Sequence, residues 1–167
     1  MIKKILIGLL VALVIIQFFG PERNLSGNTK NDLSTKYPMP DSVKAIVNKA
    51  CADCHSNKTV YPWYASIQPL GFWLADHVNE GKREMNFNEF ASYRIAKQNH
   101  KLEEVIEQVK EGEMPLKSYT LIHKEADLTE AERVILTKWC QSIMDTLKAT
   151  YPADSLILKK KKPESAK

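Results

Sequence analysis

The chain of 167 residues has room for one domain of ordinary size, and 44% apolar with 26% charged residues is the composition of a globular protein rather than a disordered one. Its formal net charge of +4 comes from the ends of the chain, because residues 42–150 carry 14 Lys and Arg against 15 Asp and Glu. A nucleic-acid-binding protein concentrates basic residues on its folded domain, so we exclude nucleic acid as a partner.

The N-terminal segment has the pattern of an export signal. Lys3 and Lys4 precede residues 5–19, which are apolar with two interruptions. A helix over residues 2–20 would be about 28 Å long, close to the thickness of the hydrocarbon core of a bilayer. The segment ends in bulky aromatic residues, whereas a cleavage site needs small ones. We therefore predict a single-pass transmembrane helix at residues 1–20, with the rest of the chain on the periplasmic side of the cytoplasmic membrane. A cleaved signal peptide is the alternative.

Three further segments follow this helix. Residues 21–41 are rich in Asn, Ser, Thr and Lys, and prolines near their end favour extended backbone, so they are predicted to form a polar tether. Residues 42–150 are predicted to form the folded domain. Residues 151–167 include the run Lys159–Lys162 and are predicted to be a disordered basic tail.

The folded domain shows helical patterning and no strand alternation, so the fold class is predicted to be all-α. The first helix is predicted to start near Ser42, and the second to cover about residues 70–79 and stop at Gly81. The third is predicted to cover about residues 89–110, with a break near Asn99 and a stop at Gly112. The fourth is predicted to run from a capping box at Thr129–Glu132 to about Lys148.

Cys51-Ala52-Asp53-Cys54-His55 is the C-x-x-C-H pattern of c-type haem attachment. Two thiols at this spacing can reach the two vinyl groups of one haem, and the adjacent His55 can bind the iron as its proximal ligand. A thioredoxin-like redox pair would require a βαβ setting. A zinc site would need a fourth ligand, for which Cys140 and His123 are the loose alternatives. A plain disulfide would leave His55 unexplained. We therefore predict one covalent haem c.

Beyond the motif, the chain resembles the haem-binding domain family of single-haem, cytochrome c-like proteins best known from Bacteroidetes-type bacteria. The resemblance covers about 100 residues, from about Val43 to Trp139. Its matching stretches are Cys51–Ser56, Tyr61–Tyr64, His77–Gly81, Asn86-Phe87, Gly112–Pro115, Tyr119, His123 and Leu128–Glu132, leading to Trp139. The resemblance implies a cytochrome c-like helical fold around a haem, but it implies neither a partner nor a reaction.

The second axial ligand of the iron is predicted to be Met114. It lies about sixty residues after His55, in a loop between a helix-ending Gly112 and Pro115. A Met thioether opposite His favours ferrous iron and raises the reduction potential. The best alternative is His123, which would give bis-His ligation. Met39, in a second Met-Pro step, precedes the haem motif and is disfavoured.

Several aromatic residues are expected to enclose the haem while also serving as ordinary core. Trp63, Tyr64 and Trp73 are the predicted pocket residues, because a haem requires an apolar surround. Cys140, the third cysteine of the chain, is expected to be buried as a small hydrophobic residue.

These features predict a membrane-anchored electron carrier whose redox partner is unknown. The sequence contains no GxSxG, P-loop, HExxH or dinucleotide fingerprint, so an enzyme is less favoured. The alternatives are a haem-based gas or redox sensor, in which Met114 is displaced, and a component of a haem peroxidase or oxidase system. A stable His–Met pair would favour the carrier, whereas an open sixth position would favour the alternatives.

Overall fold

The computed structural model describes residues 1–158, so the predicted disorder of the basic tail falls largely on residues that lie outside the described part. Within residues 1–158 there is no β-strand, which confirms the all-α class. The helices are α1 (Ile2–Ile16), α2 (Asp41–Ala50), α3 (Ala52–His55), α4 (Leu70–Glu84), α5 (Ile95–Glu111), α6 (Lys117–Ile122) and α7 (Glu130–Thr150). Short 3-10 helices lie at Leu33–Thr35, Trp63–Ser66, Phe87–Ser92, Lys124–Ala126 and Ala153–Ser155.

The N-terminal helix is shorter than predicted, since α1 ends at Ile16 rather than at residue 20. Beyond it, the side chain of Gln17 is engaged by the main chain of Gln68, and Pro21 disfavours helix at the residue before it. A membrane-crossing helix needs about 20 consecutive apolar residues. No helix within residues 1–158 has both the length and the apolar character to cross a membrane.

The chain divides into two compact units that interleave in sequence. The first contains residues 1–29 and 51–88, and the second contains residues 30–50 and those from Glu89 onward. The first unit therefore holds the Cys51–His55 motif, whereas the second holds Met114 and His123.

The first unit is built on α4, against which α3 and the Trp63–Ser66 turn pack. Its buried core consists of Tyr64, Ala65, Leu74 and Val78, with Cys54 and Tyr61 packed against them. The apolar positions of α4 recur at helical spacing and face this core, which is why the segment forms a helix here.

Helix α4 continues through Gly81, so the predicted stop at that glycine is wrong. Gly81 is required for close packing instead. A Cβ atom at this position would lie 2.7 Å from the carbonyl oxygen of Cys54. The absence of a side chain lets α4 approach the backbone of the cysteine motif.

The second unit packs α7 against α5 and α2. The predicted capping box is confirmed, since the Thr129 hydroxyl accepts from the Glu132 N–H and the Glu132 carboxylate accepts from the Thr129 N–H. The predicted helix end is confirmed at Gly112, which has φ +74°. The buried apolar side chains of α7 are Leu136, Trp139, Cys140, Ile143, Met144 and Leu147.

Two details of the second unit differ from the sequence-based expectation. The helical break falls between Ser92 and Ile95 rather than near Asn99, and the Gln98 side chain donates to the Tyr93 carbonyl at 2.6 Å there. The segment before α2, which belongs to the predicted polar tether, contains two buried side chains, Leu33 and Tyr37. The Tyr37 hydroxyl donates to Gln98 at 2.5 Å, and burial raises the pKa of Tyr37 to about 12.

Candidate haem-attachment site

The cysteine motif forms a single helical turn. Cys51 is the N-cap of α3, and His55 is its last residue. The N–H groups of Cys54 and His55 donate to the Cys51 carbonyl at 3.2 Å and 3.0 Å. Residues three and four apart lie on the same side of a helix. The structure therefore brings the two predicted attachment cysteines and the predicted proximal ligand together.

His55 is oriented by a hydrogen bond to the main chain. Its Nδ1 lies 2.9 Å from the carbonyl oxygen of Met85, which follows α4. A carbonyl oxygen can only accept, so Nδ1 carries the proton and the lone pair of the neutral imidazole is on Nε2. The ring also meets Phe87 edge to face, with centroids 6.3 Å apart. An N–H donated to a carbonyl is the usual support of a metal-binding imidazole, so this residue fits an iron ligand.

The two thiols of the motif are not poised for thiolate chemistry. Burial, reinforced by Cys54, raises the pKa of Cys51 to about 12. Burial, reinforced by Asp53, raises the pKa of Cys54 to about 11. A thioredoxin-like pair works through a lowered pKa, so this arrangement does not match that alternative.

Within residues 1–158, no group of three or more His, Cys, Asp or Glu is arranged to hold a metal ion. None of the three cysteines is in a disulfide, and Cys140 is buried as expected.

The loop after the motif is held to it by Asp53. The main-chain N–H of Val60 donates to the Asp53 carboxylate at 2.9 Å, and the Thr59 hydroxyl donates to the Asp53 carbonyl at 2.6 Å. Because both bonds end on a residue between the two cysteines, they fix the backbone of the motif.

Asparagine side chains complete this support. Asn24 donates to the Ser56 carbonyl at 2.8 Å and to the Thr59 hydroxyl at 3.0 Å, and its own oxygen accepts from Lys82 at 2.6 Å. Sequence reasoning missed this role of Asn24, since its partners lie more than thirty positions away.

A second asparagine network lies around Asn57, which is buried. The Asn86 side chain donates to the side-chain oxygen of Asn57 at 2.7 Å, and the side-chain amide of Asn57 donates to the Asn28 carbonyl at 2.8 Å. The Asn57 N–H donates to Asn88 at 2.8 Å. Buried amides of this kind are stabilising only when their hydrogen bonds are made. Asn86 entered the sequence-based prediction only as part of the family resemblance, and this network was not predicted.

The predicted pocket aromatics lie in different environments. Tyr64 is buried in the core that includes Cys54. Trp63 is 79% exposed and Trp73 is 41% exposed. Trp73 packs on His77 with ring centroids 4.3 Å apart, and His77 donates to the Trp73 carbonyl at 2.9 Å. Whether these aromatics contact a haem stays a prediction.

The Met114 loop of the second unit is tightly held. The N–H groups of Glu113 and Met114 donate to the Gln108 carbonyl at 3.0 Å and 3.1 Å. Arg133 donates to the carbonyls of Val109 and Met114 at 2.7 Å and 3.4 Å. Met114 itself is partly exposed.

His123 lies at the end of α6 in the same unit. Its ring stacks on Tyr119 with centroids 4.4 Å apart, and Nδ1 is 3.4 Å from the Glu125 carboxylate. The hydrogen bond from its own backbone and the contact with His123 lower the pKa of Glu125. His123 is thus oriented by two neighbours, whereas Met114 is oriented through its backbone.

These features define a helical protein in which a C-x-x-C-H motif forms one helical turn and its histidine is hydrogen-bonded to a main-chain carbonyl. The profile of the haem-binding domain family matches residues 11–142, which is most of the chain. The chain belongs to this haem-binding family, as its resemblance implied. No curated protein and no solved structure matches it significantly.

Proposed function

We propose that the protein is an exported electron carrier with one covalently attached haem c. The observation that carries this proposal is the geometry of the motif. Two cysteines and a histidine share one helical turn, and the histidine presents Nε2 because its Nδ1 is bonded to the Met85 carbonyl.

The residues of the motif have distinct roles in this proposal. Cys51 and Cys54 hold the haem through thioether bonds, and His55 is the proximal iron ligand. The haem supplies one-electron redox chemistry when it is bound. The protein contributes orientation of the ligand, an apolar surround and exclusion of water.

Met114 is the proposed distal ligand, with His123 as the alternative. The Met114 thioether, in a loop held by its own backbone, would hold the haem iron together with His55, and an iron held from both residues would supply electron transfer rather than reaction with small molecules. The family match supports haem binding, and the backbone hydrogen bonds of the loop support Met114 as a residue held in place.

The N-terminal segment is proposed to direct export and to tether the protein to the cytoplasmic membrane. Lys3 and Lys4 precede an apolar stretch whose side chains are exposed in α1. Export supports c-type attachment, which in bacteria takes place outside the cytoplasm.

A denaturing gel stained for haem tests the attachment directly. We expect the intact chain to keep its haem through denaturation, because thioether bonds survive the loss of structure. The Cys51→Ala, Cys54→Ala double variant should lose the stain, whereas the Cys140→Ala control should keep it. Haem that is extracted by acidified acetone from the unmodified protein would contradict covalent attachment.

A further inference from the structure

Five large apolar side chains of the first unit are exposed near the C-terminal end of α1. They are Phe18 (84%), Phe19 (63%), Trp63 (79%), Ile67 (43%) and Leu70 (46%). We call this set the collar. Large apolar side chains gathered at the surface of one unit are uncommon on a water-facing protein and mark an interaction site.

Hydrogen bonds join the two parts of the collar. The Gln17 side chain donates to the Gln68 carbonyl at 3.0 Å and accepts from the Gln68 N–H at 2.9 Å. Further along, Arg23 donates to the Ser66 hydroxyl at 2.8 Å. Residues 17 and 23 therefore contact residues 68 and 66, so the two phenylalanines between them belong to a segment held against the one that carries the later apolar residues.

The collar continues the apolar surface of α1. All large apolar side chains of α1 except Ile16 are exposed, and i→i+3 hydrogen bonds extend its last turn through Phe19. Fifteen residues of helix rise about 22 Å, whereas a hydrocarbon core is about 30 Å thick. Lipid that covers α1 would therefore extend to the residues beyond its C-terminal end.

We propose that the collar is a lipid-docking surface that seats the motif-bearing unit in the boundary between the headgroups and acyl chains of the membrane. This inference rests on the proposed membrane tether and adds which face of the folded unit meets the lipid. The collar includes a Trp, and Trp is enriched at membrane interfaces. Arg23, at the edge of the collar and 5.0 Å from the Tyr61 ring centroid, is suited to lipid phosphates.

Photo-cross-linking to lipid tests this surface. The full-length haem-loaded protein is reconstituted in phosphatidylcholine vesicles that contain a phospholipid with a diazirine in its acyl chain, and adducts are mapped by mass spectrometry. We expect adducts in residues 2–19 and also in residues 61–73. Residues 117–122 are the internal control, because Leu121 and Ile122 are exposed apolar residues of the second unit.

Matched variants separate docking from simple proximity. Ile67→Ser with Leu70→Ser should lose the adducts in residues 61–73 and keep those in α1, whereas Leu121→Ser should change neither. Adducts confined to α1, or equally strong adducts in residues 117–122, would overturn the proposal. The proposal would also be overturned if the collar were shielded from cross-linking only when the protein dimerises in detergent, because the collar would then bind a second copy of the chain rather than lipid. The visible spectrum and the haem stain report separately on the proposed function.

Discussion

Gly81 and Cys54 approach each other so closely that α4 has no room for a side chain at position 81. A Cβ at position 81 would lie 2.7 Å from the Cys54 carbonyl oxygen and 3.0 Å from the Cys54 Cβ. Both neighbours belong to the motif itself, and one is main chain that cannot rotate away. The clash must therefore displace either α4 or Cys54.

We predict that Gly81→Ala lowers both stability and haem attachment. Overpacking of this kind costs about 1–3 kcal/mol, and the displaced Cys54 should reduce the fraction of chains that carry haem. Thermal unfolding and haem stain per unit of protein measure the two effects. Gly8→Ala is the matched control, since it adds the same methyl to a helical glycine with nothing within 4 Å. A Gly81→Ala protein with full stability and full haem content would contradict the close-packing argument.

Met114 carries the most specific residue-level prediction. If its sulfur is the sixth ligand, the oxidised protein should show the near-infrared charge-transfer band of His–Met haem. Met114→Ala should abolish this band, allow carbon monoxide or cyanide to bind, and lower the reduction potential, because the ligand that favours ferrous iron is gone.

Two variants serve as controls for Met114. Met39→Ala should leave the band and the potential unchanged, and His123→Ala should at most disturb packing against Tyr119. A wild-type spectrum of bis-His type would move the assignment to His123. A high-spin spectrum would favour the sensor or the peroxidase component.

At the scale of elements, α7 is fixed at its N-terminus by the capping box and by an ion pair to α2. Lys49 lies 2.6 Å from the Glu132 carboxylate, and both side chains are partly buried. The hydrogen bond from Lys49, followed by that from the Thr129 N–H, lowers the pKa of Glu132 from its ordinary value of 4.5.

A pH dependence follows from this lowered pKa. The ionised form of Glu132 is stabilised by folding, so its contribution is present above pH 4.5 and is lost as the pH falls through the lowered pKa. We expect Lys49→Met to lose about 0.2–1 kcal/mol at neutral pH and progressively less in acid. Urea unfolding across the acid range measures this. Arg83→Met is the control, because the Arg83–Glu80 pair is exposed. A loss that is the same at every pH would contradict the role of the ion pair.

The elements that could be predicted are those with local signals. The capping box at Thr129 and the left-handed Gly112 are each decided by a few neighbouring residues, and both ends are confirmed. Gly81 was misread as a stop because its role depends on Cys54, which lies far from it in sequence. A glycine that permits close packing looks the same in a sequence as one that ends a helix.

The same distinction applies to the site. The cysteines and His55 were predicted because the C-x-x-C-H spacing alone indicates which residues could hold a haem. The supporting bonds from Asn24, Asn57 and the Met85 carbonyl connect residues that are about thirty positions apart, so local pattern cannot indicate them. Main-chain acceptors such as Met85 leave no trace in residue identity at all.

For the whole molecule, the testable expectation is its place in the cell. We expect the full-length protein to remain with the membrane after a high-salt wash, because apolar contact is insensitive to salt, and we expect protease to reach it from the periplasmic side. A soluble mature form that starts near Pro21 would refute the tether and leave export intact.

Because the two units interleave in sequence, the motif and the residues that support it do not form one continuous segment of the chain. The first unit is assembled from residues 1–29 and 51–88. A fragment of residues 51–88 would keep both cysteines and His55 but lose Asn24 and Asn28, which bond to Ser56, Thr59 and Asn57. Transplanting the fragment into another scaffold would carry over the ligand chemistry without its support. The motif and the N-terminal residues that support it must therefore be transferred together for the site to keep its geometry.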